Sequence, residues 1–172
     1  MSATTSASTP STAVNTKHVT DHRAFRFNSI DDLLADLDQI EASYRAATLR
    51  TTGNWTPGQI LGHLATWCEF NFTGVPISPP WLLKIILKLM KNRFIRGPMP
   101  RGVLIPKVQN GTLGTAPREF HEALAAYRAT LLHLKREAPT KLHPIFGQLT
   151  HDDAIKMQLR HAELHLGYMH LR

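Results

Sequence analysis

The clearest structural signal in the sequence is the stretch Thr56-Pro57-Gly58-Gln59-Ile60-Leu61-Gly62-His63-Leu64. Thr56 is suited to cap the N-terminus of a helix, Pro57 to occupy the first helical position, and Gln59 to complete a capping box. The apolar residues that follow recur at helical spacing, as Ile60, Leu61, Leu64, Trp67, Cys68 and Phe72. The sequence therefore predicts a helix that begins after Thr56 and carries His63 within it.

A preceding helix is predicted from the same kind of start signal. Ser29 and Asp32 form a capping box, and the apolar stripe behind it extends to about Arg50 before Gly53 breaks the chain. Only a short connection separates this helix from the one that begins after Thr56. We therefore expect the two helices to be antiparallel neighbours.

Two more long helices are predicted towards the C-terminus. One starts near Thr115 and ends at about Glu137, where a proline follows. The last begins at a capping box of Thr150 and Asp153, and its apolar positions extend to Met169. No strand signal longer than a few residues is present. The expected fold class is all-α, a four-helix bundle with an extra short helix in the connection between helices two and three.

That connection, of about 40 residues, is long for a compact domain, and such connections often carry function. It permits a crossover at the end of the bundle, and within it a basic amphipathic helix is predicted from Trp81 to Phe94. No acidic residue lies between Glu69 and Glu119, whereas eight basic ones do: Lys84, Lys88, Lys91, Arg93, Arg96, Arg101, Lys107 and Arg118. Such a block can attract an anionic partner, although a solvated basic face also explains it.

Composition divides the chain into a tail and one domain. Residues 1–24 are rich in Ser, Thr and Ala without the apolar region of a secretory signal, which predicts a disordered tail, and residues 25–172 form the helical domain. The most apolar stretch, residues 81–95, is interrupted by basic residues, which excludes a transmembrane span. A single cysteine, Cys68, excludes an internal disulfide and a cysteine-rich zinc site. The expected location is cytoplasmic.

Two histidines share a face of the final helix. His161 and His165 are four residues apart, which is about 40° around an α-helix, so both imidazoles can reach one cation. The metalloprotease pattern is absent, because the residue after His161 is not glutamate and Glu163 points to nearly the opposite side. His18 and His22 are also four residues apart, but they lie in the predicted tail, and we interpret that pair as accidental.

His63 can supply a third ligand from another helix. Taken alone, a histidine among apolar helical residues is more often a core-edge side chain bonded to a carbonyl. Because His161 and His165 form a pair on another helix, we favour the interpretation of His63 as a metal ligand. Three histidines with an open fourth position are typical of a catalytic metal site, and imidazole ligands suit zinc or nickel, with iron or copper as alternatives.

Further side chains are candidates for hydrogen bonding or proton transfer at such a site, namely Tyr168, Gln158 and His143. Gln158 and Tyr168 extend the polar face of the final helix, and His143 lies in the loop that leads into it. That loop is also explained as a rigid turn with Phe146 packed on the end of the bundle. Arg96 and Arg101, in the basic connection, are candidates for holding an anionic substrate or thiol.

In combination these motifs resemble the DinB/YfiT-like superfamily of metalloenzymes, within it a bacterial branch labelled as a domain of unknown function. The resemblance extends from about residue 25 to the C-terminus and is carried by residues 53–64, 143–147 and 161–166. It implies a four-helix bundle with an up-down-down-up path and assigns the metal ligands to His63, His161 and His165. Many relatives have glutamine three residues after the last histidine, where this chain has Tyr168.

The resemblance also implies a chemistry. Characterised relatives are similar to transferases and isomerases that use low-molecular-weight thiols such as mycothiol or bacillithiol. The expected function is therefore that of a divalent-metal-binding protein, a metal-dependent enzyme of the thiol-transferase or hydrolase type acting on a small molecule. A homodimer is compatible with such a bundle. A metal-binding domain without chemistry would carry the same histidines.

Another class of function is a non-enzymatic protein that docks on an anionic membrane surface or ligand through the basic helix of residues 81–96. Lys84, Lys88 and Lys91 fall on one face, with apolar residues opposite or beside it, a pattern typical of interfacial helices. We favour the simpler interpretation that the apolar face packs on the bundle. No helix-turn-helix spacing or aromatic-and-basic RNA motif indicates nucleic acid.

Overall fold

The computed structural model of the chain describes residues 13–77 and 81–171, and for Leu82, Leu83, Lys84, Ile86 and Gln109 it describes the backbone alone. The described chain is mostly helical, which confirms the all-α class. Its helices are α1 (Ile30–Arg45), α2 (Pro57–Thr73), α3 (Trp81–Leu89), α4 (Lys91–Arg96), α5 (Phe120–Arg136) and α6 (His151–Leu166). A 3₁₀ turn spans Gln109–Gly111, and two-residue strands form β1 (Arg50–Thr51) and β2 (Met169–His170).

Both capping boxes predicted for the first half of the chain are present. The Ser29 side chain accepts from the Asp32 backbone N–H at the start of α1, and the Asp32 carboxylate accepts from Ser29 in return. Thr56 and Gln59 make the same reciprocal pair at the start of α2. These bonds satisfy backbone donors that a helix N-terminus otherwise leaves unpaired.

Two helix ends differ from the prediction. Helix α1 ends at Arg45 rather than at Arg50, because Ala47 adopts a left-handed conformation (φ 55°) and the chain turns towards β1. Helix α5 begins at Phe120 rather than near Thr115. Its N-cap is Glu119, whose carboxylate accepts from the Glu122 backbone N–H at 2.9 Å.

The final helix also departs from the prediction at both ends. The Thr150 hydroxyl caps α6 as expected, but the Asp153 carboxylate forms an ion pair with Lys91 of α4 (2.7 Å) rather than closing the box. The helix ends at Leu166, and Met169 belongs to β2. Strand β2 pairs antiparallel with β1, with His170 opposite Arg50, so the C-terminus is tied to the connection between α1 and α2.

The basic helix predicted in the long connection is present but broken at Met90 into α3 and α4. Ile95 of α4 is buried, while Leu87 and Phe94 pack partly against the core. This part of the segment therefore packs on the core, as expected. Ile85 and Leu89, on the apolar face of the predicted helix, are instead exposed by 50% and 84%. The side of the segment that faces the core contains Leu87 and not these two residues.

Contacts near the helix ends show the relative directions of three long helices. Gly58 at the start of α2 lies against Arg118 just before α5, and Phe72 near the end of α2 stacks on His133 near the end of α5, with ring centroids 3.7 Å apart. Helices α2 and α5 therefore run parallel. Helix α1 runs antiparallel to α5, because Tyr44 near its end stacks on Phe120 at the start of α5.

Helix α6 runs antiparallel to α2, since the Trp67 carbonyl of α2 accepts from Gln158 of α6, whereas His63, one turn earlier in α2, meets His161, one turn later in α6. Both α1 and α2 pack on α5 and α6. The expectation that α1 and α2 are neighbours is therefore wrong, although they do run in opposite directions. Residues 46–56 are not a tight turn: they pass through β1 and its pairing with β2, and this path crosses the end of the helices.

The core lies between the four long helices. Its largest fully buried side chains come from all of them and include Leu33, Leu37, Ile40, Leu61, Leu64, Leu124, Tyr127, Leu131, Leu159 and Leu166. Nearly all belong to the apolar stripes that were read from the sequence. The free thiol of Cys68 is buried here, and burial raises its pKa to about 12.

Residues 1–12 of the predicted disordered tail lie outside the described residues, but residues 13–24 lie against the domain. Arg23 makes a two-point ion pair with Asp36 of α1, and His22 bonds the Leu164 carbonyl of α6 at 3.0 Å. The Asn54 side chain both donates to and accepts from the Val14 backbone. The polar composition did not indicate that this segment lies against the domain, because the segment is held by specific hydrogen bonds and ion pairs rather than by an apolar stripe.

Among the described helices, none combines the length and the apolar character that crossing a bilayer requires.

We predict that Gly58→Ala destabilises the protein through the contact between α2 and α5. A Cβ at this position would overlap the Arg118 carbonyl oxygen, which is backbone and must move to make room. The free energy of unfolding, measured by urea denaturation, should fall by about 1–3 kcal/mol. Gly53→Ala is the control, because its Cβ would meet the Tyr168 ring at an ordinary 3.5 Å. Equal stability of Gly58→Ala and wild type would contradict the close contact.

Candidate metal centre

Three histidines from two helices converge at one point in the structure. His63 of α2 and His161 and His165 of α6 each offer a ring nitrogen, and these nitrogens lie within 4.8 Å of one another. The Nε2 atoms of His63 and His161 are 3.2 Å apart. The antiparallel packing of α2 on α6 brings the ligands together, while the four-residue spacing keeps His161 and His165 on one face.

A backbone carbonyl fixes the orientation of His63. Its Nδ1 lies 2.7 Å from the Leu113 carbonyl oxygen. Because a carbonyl only accepts, Nδ1 carries the proton and Nε2 presents a free lone pair towards the other histidines. An outer hydrogen bond of this kind is the usual way in which a protein sets the tautomer of a metal-binding histidine.

Burial keeps all three imidazoles in their neutral form. The pKa of His63, which is 1% exposed, is lowered to about 4 by burial. Burial also lowers the pKa values of His161 and His165 well below their usual range, and the neighbouring histidines lower them further. Neutral imidazole is the form that binds a cation, so no proton needs to leave before a metal is bound.

Two tryptophans shield the cluster. The Trp55 ring lies nearly parallel to His165, with an interplanar angle of 10° and centroids 5.4 Å apart. Trp67 stands 5.9 Å from His161 and 6.1 Å from His63. An apolar shell of this kind limits the access of water and fixes ring orientation. Trp67 occupies the turn after His63, so helical spacing could have placed it here, whereas nothing in the sequence predicts the stacking of Trp55.

The spacing and chemistry of the three residues fit a divalent metal ion. Two nitrogen ligands about 2.05 Å from a tetrahedral zinc are about 3.3 Å apart. The 3.2 Å between the Nε2 atoms of His63 and His161 matches that geometry. An all-imidazole set of neutral ligands also suits nickel, iron or copper. The three residues can therefore hold one such ion and leave part of its coordination shell open.

The cluster forms part of the wall of a cavity of about 770 Å³, between α2, α6 and the connection that contains α3 and α4. Gln158, Tyr168 and His143, the other candidates from the sequence, line the same cavity. The structure thus brings together all six residues that the sequence assigned to the metal or to catalysis. Residues 99–100 and 102–108 of the long connection line this cavity as well.

Gln158 and Tyr168 are held by the backbone of neighbouring segments. The Gln158 amide donates to the Trp67 carbonyl at 3.2 Å, while its Oε1 is buried without a partner among the described residues. The Tyr168 hydroxyl donates to the Thr16 carbonyl at 3.0 Å, and burial raises its pKa. Gln158 therefore keeps an unused acceptor beside the cluster, whereas the Tyr168 proton is already engaged.

His143 is a neutral hydrogen-bond donor in this structure. Its Nδ1 accepts from the backbone N–H groups of Ile145 and Phe146, both at 3.2 Å, so the proton lies on Nε2. Its ring stacks on Phe146, and burial lowers the pKa of His143 to about 4. The turn predicted around Phe146 is thus present, and it leaves His143 able to donate a hydrogen bond into the cavity.

The two arginines proposed for an anionic group do not line the cavity. The Arg101 side chain donates to the Val19 carbonyl at 2.7 Å. Arg96 is exposed, and its backbone carbonyl accepts a hydrogen bond from Arg26. Among the cavity-lining residues that the structure describes, the cationic ones are Lys107 and Lys141. A charge block without periodicity in a loop cannot indicate which of its members face inward.

Glu163 is turned away from the metal cluster, as its helical position predicts. Its carboxylate accepts from the Phe27 backbone N–H at 2.7 Å and forms an ion pair with Arg160 at 2.9 Å. Arg160 is almost fully buried and also donates to the Phe27 carbonyl. These residues fix the entry of the chain into α1, so this carboxylate has a structural role and does not act as a general base beside the histidines.

Comparison with known proteins identifies a family for the chain. Residues 19–171 match the model of a family described as "Protein of unknown function (DUF1569)". No curated protein matches the sequence, and no solved structure matches the fold. The match begins at Val19, inside the segment that packs on α6, and includes all three clustered histidines. Because this match covers most of the chain, the chain belongs to the DUF1569 family.

Proposed function

We propose that this protein is a metal-dependent enzyme whose divalent ion, zinc or nickel, is held by His63, His161 and His165. The reaction class we infer is a thiol transfer or a hydrolysis of a small molecule. A cytoplasmic location and a homodimer remain expectations from the sequence. The proposal is supported above all by one observation: three neutral imidazoles, that of His63 buried and those of His161 and His165 half-buried, present their ring nitrogens to a single point.

The surroundings of the histidines support an enzyme more than a structural metal site. Structural zinc sites use four protein ligands, whereas a three-ligand set leaves a position for a reactant. The same histidines line a cavity of about 770 Å³, a size typical of small-molecule sites. A metal domain without chemistry would need neither the open position nor the cavity.

A divalent ion at these histidines would supply Lewis-acid chemistry, which makes a thiol or a water molecule a good nucleophile near neutral pH. The chain's own residues do the rest. Gln158 offers a free acceptor oxygen beside the cluster, and His143 offers an Nε2–H donor from the opposite loop. Trp55 and Trp67 pack against the histidine rings and reduce their exposure to water. Together they can orient a substrate at the open side.

We infer that the four long helices form the DinB-like bundle with an up-down-down-up path. Helices α2 and α5 are parallel, and each is antiparallel to one of the remaining two, α6 and α1 respectively. The long connection between α2 and α5 supplies the crossover that two consecutive parallel helices require. This path supports the resemblance to the DinB/YfiT-like superfamily, in which the same three positions bind metal.

Metal content tests the proposal. Purified untagged protein incubated with zinc and then desalted should retain about one zinc per chain by plasma mass spectrometry. His63→Ala and His161→Ala should each lose it, because two remaining imidazoles hold zinc far more weakly. His18→Ala is the matched control, since His18 is exposed and lies outside the cluster. Wild-type protein that retains neither zinc nor nickel, or variants that retain as much as wild type, would overturn the proposal.

A second candidate function is docking on an anionic membrane surface through α3. Trp81, Ile85 and Leu89 are four residues apart, so they share one face, and they are exposed by 73%, 50% and 84%. Lys88 beside them is exposed as well, whereas Lys91 is engaged with Asp153. The side chain of Lys84 lies outside the described residues. An exposed apolar stripe flanked by lysine favours an interfacial helix.

Co-sedimentation with vesicles tests this candidate. Wild-type protein should sediment with phosphatidylserine-containing vesicles at low salt, and Leu89→Glu should reduce the bound fraction by about fivefold because it places a charge in the apolar stripe. Leu132→Glu is the control, since Leu132 is an exposed leucine on α5. No wild-type binding, or equal binding of Leu89→Glu, would reject docking through α3.

A further inference from the structure

The cavity beside the histidines is apolar over most of its wall. Helix α2 contributes Ile60, Trp67 and Phe70, the long connection contributes Leu87, Phe94, Met99, Val103, Ile105 and Val108, and the C-terminal part contributes Ile145, Phe146, Leu149, Met157 and Leu164. Burying apolar ligand surface against such walls is favourable, whereas sugar hydroxyls placed there would lose their hydrogen bonds to water. The body of the ligand should therefore be apolar.

The charged side chains among the described lining residues of the cavity are all positive. None of its described lining residues is Asp or Glu, whereas Lys107 and Lys141 both line it. Both lysines are exposed, so they stand where the cavity meets water. Neither forms an ion pair with another residue that the structure describes. Two free cations at an opening without acidic residues attract an anionic group and disfavour a cationic one.

The two lysines and the three histidines come from different segments of the cavity wall. Lys107 comes from the loop after α4, and Lys141 from the loop after α5, next to the segment that carries His143. In the histidine cluster between α2 and α6, His63 is buried and His161 and His165 are half-buried. Because the lysines are more exposed than the histidines, a ligand whose anionic end stays at the lysines has its apolar body directed towards the histidines.

We propose that the cavity binds an amphipathic small molecule, an apolar chain or ring system with one anionic end group, held with the anion at Lys107 and Lys141 and the apolar body between the tryptophan and phenylalanine side chains. This inference rests on the proposed function, because it names the substrate class of the same site. In this arrangement the two lysines recognise the anionic end of the ligand, and the other part of the molecule reaches the histidines. A hydrophilic thiol would enter as a second reactant.

Calorimetric titration with three probes of equal chain length tests the proposal: decanoate, decanol and decyltrimethylammonium, each below its aggregation concentration. Wild-type protein should bind decanoate saturably, with decyltrimethylammonium at least roughly fivefold weaker. Lys107→Gln combined with Lys141→Gln should weaken decanoate by roughly fivefold and leave decanol unchanged. Lys135→Gln is the charge-matched control, because Lys135 pairs with Asp31 on the surface.

A steric variant makes the test independent of charge. Ile145→Trp adds volume at a partly exposed position of the cavity wall and should abolish binding of decanoate and decanol alike. Leu132→Trp, on the exposed side of α5, should bind like wild type. Absence of decanoate binding to wild type, equal affinity for all three probes, or full affinity in the double lysine variant would overturn the proposal.

The titration is repeated with His161→Ala to separate this proposal from the metal site. Saturable, lysine-dependent binding of decanoate to that variant would uphold the amphipathic ligand even if no metal were found in wild type. Wild-type protein that retains zinc but shows no preference for decanoate would refute the ligand class and leave the metal site standing.

Discussion

The arrangement of three neutral imidazoles in an apolar interior constrains the rest of this structure. A buried polar group is costly unless it is paired, and His63 is almost completely buried. The Leu113 carbonyl pairs its Nδ1, which turns its free Nε2 towards His161 at 3.2 Å. Two ring nitrogens at this distance require either a proton or a cation between them, since two lone pairs would repel. Whatever lies there links α2 to α6.

Several elements of the structure serve this arrangement. The glycine at Gly58 lets the start of α2 approach the Arg118 backbone, which fixes α2 against α5. Arg160 and Glu163 hold the chain entry before α1 on the far side of α6, so that His161 and His165 face α2. The long connection has two tasks, because Leu113 at its end orients His63 while its earlier residues line the cavity. The same connection thus contributes both to the cavity wall and to the orientation of His63.

Much of this could be predicted from the sequence, because it depends on local signals. Ser29 and Thr56 start their helices by capping rules that involve only residues three positions away, and the spacing of His161 and His165 defines a shared face without any knowledge of the fold. The association of His63 with that pair needed more than spacing. It came from the presence of a histidine pair on another helix, and the family resemblance assigned the metal ligands to the same three residues.

The parts that were missed depend on contacts between distant segments. Asp153 leaves its capping box because Lys91 of another helix competes for its carboxylate. The role of Leu113 is performed by a backbone carbonyl, which every residue has and no pattern reveals. Residues 13–24 are held through single hydrogen bonds and ion pairs to α1 and α6, so a composition without apolar periodicity appeared disordered. In each case the competing partner is far away in the sequence.

X-ray absorption at the zinc edge of zinc-loaded protein tests the central claim most directly, because it reports the ligands of the bound ion itself. The account predicts about three imidazole nitrogens near 2.0–2.1 Å, with the outer-shell scattering that imidazole rings produce, and one oxygen ligand that exchanges with solvent. A first shell made of oxygen, without imidazole scattering, or one containing the sulfur of Cys68, would contradict it. Either result would show that the three histidines do not converge on a metal ion.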